Sequence, residues 1–423
     1  MKKIAFFCCF ILTVACYAQE YEHIRLENFI YNNDFKSVEL YRAGYPLAFP
    51  IITLQSGEKL QLAFDDVRDQ SRYLKYTFIH CTHDWKPDGL SPIEYLEGFN
   101  EDEITDFSHS FNTIMDYTHY ELQFPTEMMR IIKSGNYILY VYDETPDNPV
   151  LTRRFVVIEP YTASIDGVVK KASDVTYMFQ KQEVDFSANT GSYRINNPAM
   201  YLHASILQNG RWQNAITGLR YRFGKPGEYS FDYDDNSNVF DGASEFRTFD
   251  MKSLKYNGTH IVSVDYQQNE NQVYVLEDLA RPYGPYVSEN TLCGRCYYKN
   301  EDYDGENRED YVRVHFTLRT DFNVPDGDLY VFGALTDWRI LPEARMKKNP
   351  KTGLWETSLV LKQGYYNYQY VYVPYDNSQI IDETYIEGNH WETKNEYTIF
   401  LYYQEEGTSY DKLIGSKTLK MGD

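Results

Sequence analysis

Tyr366-Asn367-Tyr368-Gln369-Tyr370-Val371-Tyr372 decides the fold class. Tyrosine recurs at every second position, and a pleated strand is the conformation that places residues i and i+2 on one face. Tyr137-Ile138-Leu139-Tyr140-Val141-Tyr142 and Arg153-Arg154-Phe155-Val156-Val157-Ile158 also read as strands, being short runs of aromatic and β-branched residues. The 41 Tyr and 24 Phe of the 423-residue chain are set in short runs of this kind. Turn signals punctuate them at Ser56-Gly57, Ser134-Gly135-Asn136, Asn209-Gly210, Asn257-Gly258 and Gln363-Gly364,. Helical patterns are scarce. The expectation is an all-β chain of tandem immunoglobulin-like β-sandwich domains.

Working outward, residues 1–18 are expected to be a signal peptide. Lys2 and Lys3 precede an apolar run from Ile4 to Ala15, and small Ala18 stands before Gln19,. That run is about a dozen residues, short of the ~20 that span a bilayer. The alternative is a lipidated Cys16, with Thr13 where a lipobox usually has leucine. The expected modules are an N-terminal β-sandwich (19–160), a middle one (161–309), a C-terminal immunoglobulin-like domain (310–405) and a flexible tail (406–423), since the tail lacks an apolar pattern. A polar stretch from Asp84 to Thr118 interrupts the first module. It reads either as a partner-contacting surface or as a packed excursion with a short helix near Ile93 to Phe99, because long aperiodic loops are uncommon and often functional. The acidic stretch 301–307 reads as a solvated linker; Asp302, Asp304 and Glu306 alternate, but without the distal bidentate Glu of an EF-hand.

The formal net charge of −21 repels nucleic acid and anionic lipid, so neither a nucleic-acid partner nor direct membrane insertion is expected. Beyond the leader the cysteines are Cys81, Cys293 and Cys296. Cys293-Gly294-Arg295-Cys296 has redox spacing, but no βαβ pattern surrounds it; a local disulfide between Cys293 and Cys296, or two free thiols, is the expectation. In His80-Cys81-Thr82-His83, a continuing strand would put Cys81 and His83 on one face and His80 on the other, leaving two ligands where metal wants three or four. No metal site is expected. Nucleophile elbow, HExxH helix, Walker loop and Gly-rich dinucleotide turn are all missing from the sequence. No catalytic residues, cofactor or small-molecule ligand are therefore expected.

Gly333 with Asp337-Trp338, Gly353 with Trp355, and Gly364 with Tyr366 and Tyr368 resemble the starch- and glycogen-binding type of immunoglobulin-like domain. That resemblance implies a glycan stacked on aromatics, for which Trp338, Trp355 and Trp391 are the candidates. Such domains often carry a lysine between the last two aromatics, where this chain has Gln369.

A second resemblance runs end to end. Its carriers are Tyr76-Thr77-Phe78-Ile79-His80-Cys81 with Asp84-Trp85, Tyr95 with Gly98-Phe99, and Ser110-Phe111-Asn112-Thr113 with Tyr117-Thr118-His119-Tyr120. It continues through Ser134-Gly135-Asn136-Tyr137, Thr152-Arg153-Arg154-Phe155, Glu245-Phe246-Arg247 and the stretch from Asp382 to Glu392. This series resembles the plug proteins of the type IX secretion system. The resemblance implies a periplasmic, non-enzymatic gating subunit that seals the periplasmic opening of a wide outer-membrane translocon β-barrel, its partner. An exported carbohydrate-binding protein is the alternative.

Overall fold

The computed structural model describes residues 24–68 and 71–422; the expected signal peptide and Cys16 lie outside them. The period-2 patterns do become strands, and most are buried on both faces. In Leu74–Cys81, Leu74, Tyr76 and Phe78 enter one core while Ile79 and Cys81 enter another. Gly135–Asp143 repeats the division, with Tyr137, Leu139 and Val141 on one side and Ile138, Tyr140 and Tyr142 on the other. Among the described residues, α-helix is confined to the single turns Pro92–Tyr95 and Pro198–Tyr201. None is long and apolar enough to cross a membrane.

The architecture is three β-sandwiches, the first two sharing one sheet. Ten strands form that sheet, in the spatial order Ile216–Leu219, Leu202–Gln208, Glu396–Gln404, Asp411–Lys420, Pro149–Ile158, Gly135–Asp143, Leu74–Cys81 and Glu101–Glu103, with Phe29–Ile30 and Ile51–Thr53 paired to Pro149–Ile158. Its two halves meet at a parallel contact between Ile158 and Leu413. One half packs under a four-stranded sheet, Phe35–Arg42, Leu60–Asp66, Thr118–Phe124 and Asp106–His109, to make the N-terminal sandwich. The other half packs under a five-stranded sheet built around Ser164–Lys171 and Lys181–Asn189, making the middle sandwich.

The remaining faces of the two halves close on each other. Ile79, Ile138, Tyr140 and Val156 from one half meet Leu207, Phe400, Tyr402 and Leu413 from the other in a separate buried cluster. At about 1.5–3 kcal/mol for each fully buried large side chain, this junction is comparable to a domain core. The two sandwiches therefore behave as one body.

The third sandwich is inserted into the middle one, and here the boundaries differ from the sequence reading. Its four-stranded sheet contains Arg247–Asp250, Gly364–Pro374, Cys296–Tyr298 and Gly327–Phe332; its six-stranded sheet contains Ile261–Asp265, Gln272–Val275, Tyr311–Arg319 and Trp355–Lys362. The unit thus runs over about 244–394 rather than 310–405. The acidic stretch is a crossover inside it: Asp302 accepts from Ser253 Oγ and, at 2.7 Å, from Leu254 N. The expected flexible tail is also corrected, because Asp411–Lys420 is a strand paired along Glu396–Gln404 with Leu413 and Ile414 fully buried.

The largest fully buried side chains are all tyrosines, Tyr137, Tyr311, Tyr368 and Tyr402 among them. Their rings fill the cores and most of their hydroxyls are hydrogen-bonded, as Tyr137 is to Lys133 O at 2.8 Å and Tyr368 to Asp278 at 2.6 Å, Tyr76 being the exception. A buried hydroxyl without such a partner would destabilise the core.

Candidate partner-binding excursion and the domain junctions

The polar stretch of the first module folds as a packed excursion that supplies edges. A capping box of Ser91 and Glu94 starts the turn Pro92–Tyr95, and Tyr95 OH then reaches Phe78 O at 2.9 Å. Leu96–Gly98 pairs with Met129–Ile131. Gly98 sits at φ 106°, and a Cβ there would stand 2.1 Å from Met128 O, so the pairing requires glycine,. Glu101–Glu103 and Asp106–His109 then become the outer edges of the two N-terminal sheets. Lys75 holds Glu101 at 2.8 Å. Ile93 is 74% exposed and Phe99 58%, among acidic neighbours in sequence. The excursion ends clamped to the inserted sandwich, where Asp310 accepts the Ile114 and Met115 amides at 3.1 and 3.3 Å.

Three polar clusters stand out, two of them at joints between sandwiches. The first is ionic and joins the N-terminal and inserted units. Asp65, fully buried, accepts from His119 Nδ1 at 2.6 Å, Lys362 Nζ at 2.7 Å and Tyr311 OH at 2.6 Å. Burial opposes ionisation of Asp65, but Lys362 and His119 outweigh it and hold the carboxyl below its usual value. Burial likewise disfavours a charged His119, yet the Asp65 and Glu121 carboxylates lift it to about 9. Nearby Glu39 is pushed up to about 7 by burial.

The second cluster lies where the chain leaves the middle sandwich near Gly242 and returns at Asn395. Gln182 Nε2 donates to Trp391 O and Thr393 O at 2.6 and 2.7 Å. Asn395 Nδ2 donates to Gln182 Oε1 at 3.0 Å and Gly242 O at 2.8 Å, and Asn209 Nδ2 donates to Asn395 Oδ1 at 2.8 Å. The third cluster is inside the inserted unit. Glu387, 1% exposed, takes Arg247 Nε at 2.9 Å, Arg281 Nε at 2.7 Å and Tyr370 N at 2.9 Å.

The tryptophans proposed for glycan stacking are dispersed. Trp338 packs on Phe246 and Phe332 with Arg211 over its ring at 4.5 Å, and adjacent Asp337 faces Arg153 at 3.3 Å. The Asp337-Trp338 element thus stands where all three sandwiches meet. Trp355 Nε1 lies 3.3 Å from Thr320 Oγ1, and the Trp391 carbonyl belongs to the amide cluster. Gln369, at the lysine position of the sugar-binding resemblance, is buried and donates to Glu383 at 2.6 Å. Cys293 and Cys296 are free, buried thiols. The turn between them seats Trp338, since a Cβ on Gly294 would stand 2.2 Å from that ring.

His80, Cys81 and His83 also diverge. The strand ends at Cys81 and Thr82 opens a turn closed by its amide on Lys86 O at 2.9 Å. His80 pairs with Asp88 and lies 3.0 Å from Ser134 O, whereas His83 turns toward Asp411, 3.0 Å away. Sequence reasoning missed Asp65, Lys362 and Asp411 altogether. Asp65 and Lys362 are 297 residues apart, and no local pattern marks such a pair.

Some residues carrying the end-to-end resemblance sit in these clusters: His119 in the ionic one, Trp391 in the amide one, Arg247 and Glu387 in the third. A solved hypothetical protein from Parabacteroides merdae is 32% identical, matching 94% of this chain and all of its own, with a TM-score of 0.88. The C-terminal domain of the Streptococcus agalactiae antigen I/II polypeptide BspA is 7% identical over 90% of this chain and 97% of its own; its TM-score of 0.15 carries no structural argument. No curated protein matches the chain. Residues 35–159 match the family model described as the type 9 secretion system plug protein 1st domain. Those residues span the ionic joint's Asp65 and His119 and the whole excursion, and the chain belongs to the type IX secretion system plug protein family.

Proposed function

We propose that this protein is the non-enzymatic periplasmic plug that seals the periplasmic opening of the type IX outer-membrane translocon. Family membership gives it a role in that secretion system and a place in the cell envelope. The observation that carries the finer reading is the locking of three sandwiches into one body by a shared sheet and buried junctions. A stopper in a wide pore must hold its shape against flow, and a chain of freely hinged domains would not. A plug that must also leave needs a polar interface of moderate affinity. The excursion offers one: exposed Ile93 and Phe99 beside carboxylates suited to basic residues at a pore mouth.

Affinity purification of envelope complexes from the native host tests this. The outer-membrane barrel should copurify with the chain, with a yield that falls as salt rises. Ile93→Ser with Phe99→Ser should reduce recovery while changing stability by no more than about 0.5 kcal/mol, the usual range for exposed positions. Recovery of the chain alone from intact envelopes would overturn the proposal.

A further inference from the structure

Where the shared sheet folds back on itself, two histidines and a carboxylate from three separate segments converge. His83 comes from the turn after Leu74–Cys81, His203 from Leu202–Gln208 and Asp411 from the first position of Asp411–Lys420. One ligand-type atom from each lies within 4.8 Å of the others. The imidazoles are stacked with centroids 4.1 Å apart, and Asp411 Oδ2 accepts the His83 backbone amide at 2.8 Å, fixing the turn that carries the ring. We propose that this is a binding site for a divalent transition metal of the zinc class, tying the N-terminal sandwich to the middle one.

Its donor set fits that class: two imidazoles and one carboxylate are the three-protein-ligand pattern zinc takes with a water as fourth ligand. His203 is 8% exposed and stacks on His83 within the cluster. Asp411 and Asp84 set negative charge against Arg220 around the site. The other carboxylate group, Glu183, Asp185 and Asp232, differs, because Lys170 already pairs with Glu183 and Asp185 at 3.3 and 2.6 Å.

This site is independent of the plug reading, since it concerns the fold's own staple. The test uses the purified chain, stripped with chelator, then titrated with Zn²⁺ and, separately, with Co²⁺. One zinc per chain should be retained after dialysis, Co²⁺ should give the visible absorption of a tetrahedral N/O site, and zinc should raise the melting temperature. His203→Gln and His83→Gln should each weaken zinc binding by about tenfold or more, while Glu183→Gln should not. Circular dichroism matching the parent shows that the variants are folded. The proposal is overturned if the parent retains no stoichiometric zinc, or if folded His203→Gln binds as tightly as the parent.

Discussion

The joint between the N-terminal and inserted sandwiches centres on a buried carboxylate with two cationic partners, whereas the joint between the inserted and middle sandwiches centres on neutral amides. Ion pairs do occur at the second joint, Arg211 with Glu383 and Arg295 with Glu396, both at 2.8 Å, but they flank the amide network rather than form it. The difference follows from what each joint has to hold. Two chain passages cross the second joint covalently, at 242 and 395, so its polar groups need only be satisfied. Part of the first joint is made by segments far apart in sequence, Asp65 and Lys362 being 297 residues apart, and their charges meet only when those segments are brought together.

The largest effect should come from breaking the ionic joint. Asp65→Ala leaves Lys362 buried without its counter-charge and His119 with Glu121 alone, and removing one partner of a buried pair typically destabilises by about 3–5 kcal/mol. Urea unfolding should show that loss. Asp65→Asn combined with Lys362→Met should recover much of it, because replacing both members of a buried pair is often near neutral. A loss below about 1 kcal/mol for Asp65→Ala, the range of surface pairs, would show that the joint does not depend on charge.

The amide joint should respond less, and without pH dependence. Asn395→Ala removes a partner of Gly242 O and Asn209 Nδ2, and one of the two donors to Gln182 Oε1, which keeps Tyr397 OH. Each buried group left unmatched costs about 1–3 kcal/mol, and relaxation of the flexible Gln182 and Asn209 side chains should hold the total near 2–3 kcal/mol. Unfolding at mildly acidic and mildly alkaline pH should give the same difference from the parent. A difference that changed with pH would mean that a titrating neighbour carries the joint.

How much of this was legible depends on the range over which each feature is encoded. Strands such as Tyr366 to Tyr372 announce themselves within seven residues, since the pleat has period 2. The single helical turn before Phe99 was also within reach, from Ser91, Pro92 and Glu94,. The inserted sandwich was not, because what joins 247–250 to 365–368 is a backbone ladder with no local signature. The acidic stretch 301–307 looked like a linker for its composition, yet Asp302 is tied to residues 253 and 254. The tail was misread for a related reason. Within Asp411–Lys420, Leu413, Ile414 and Leu419 break the period-2 pattern, because a register shift opposite Leu401 and Tyr402 lets both faces of the strand be covered. Tyrosine, which marks the strands in the sequence, also fills the cores, where hydroxyls such as that of Tyr137 reach buried acceptors.

The smallest effect, and the one that separates the two joints most sharply, is a stability change with pH carried by His119. Its folded pKa is raised from 6.5 to about 9, so between those values the native state holds a proton that the unfolded state releases. Stability therefore falls as pH rises through that window, by up to ~1.4 kcal/mol per pH unit for one proton. Glu39, raised from 4.5 to about 7, acts in the same direction at lower pH, whereas His203, lowered from 6.5 to about 4, makes stability rise with pH there. These two oppose each other below neutrality. Buried thiols confuse the alkaline end, since burial raises Cys81 and Cys293 above their ordinary value. The informative quantity is thus the difference between the parent and His119→Gln, which retains a donor for Asp65 but cannot titrate. That difference should shrink by about 1–2 kcal/mol between neutral pH and about pH 9, while the corresponding difference for Asn395→Ala stays flat. Parallel curves for parent and His119→Gln would mean that Lys362 alone neutralises Asp65, reducing the ionic joint to a single pair.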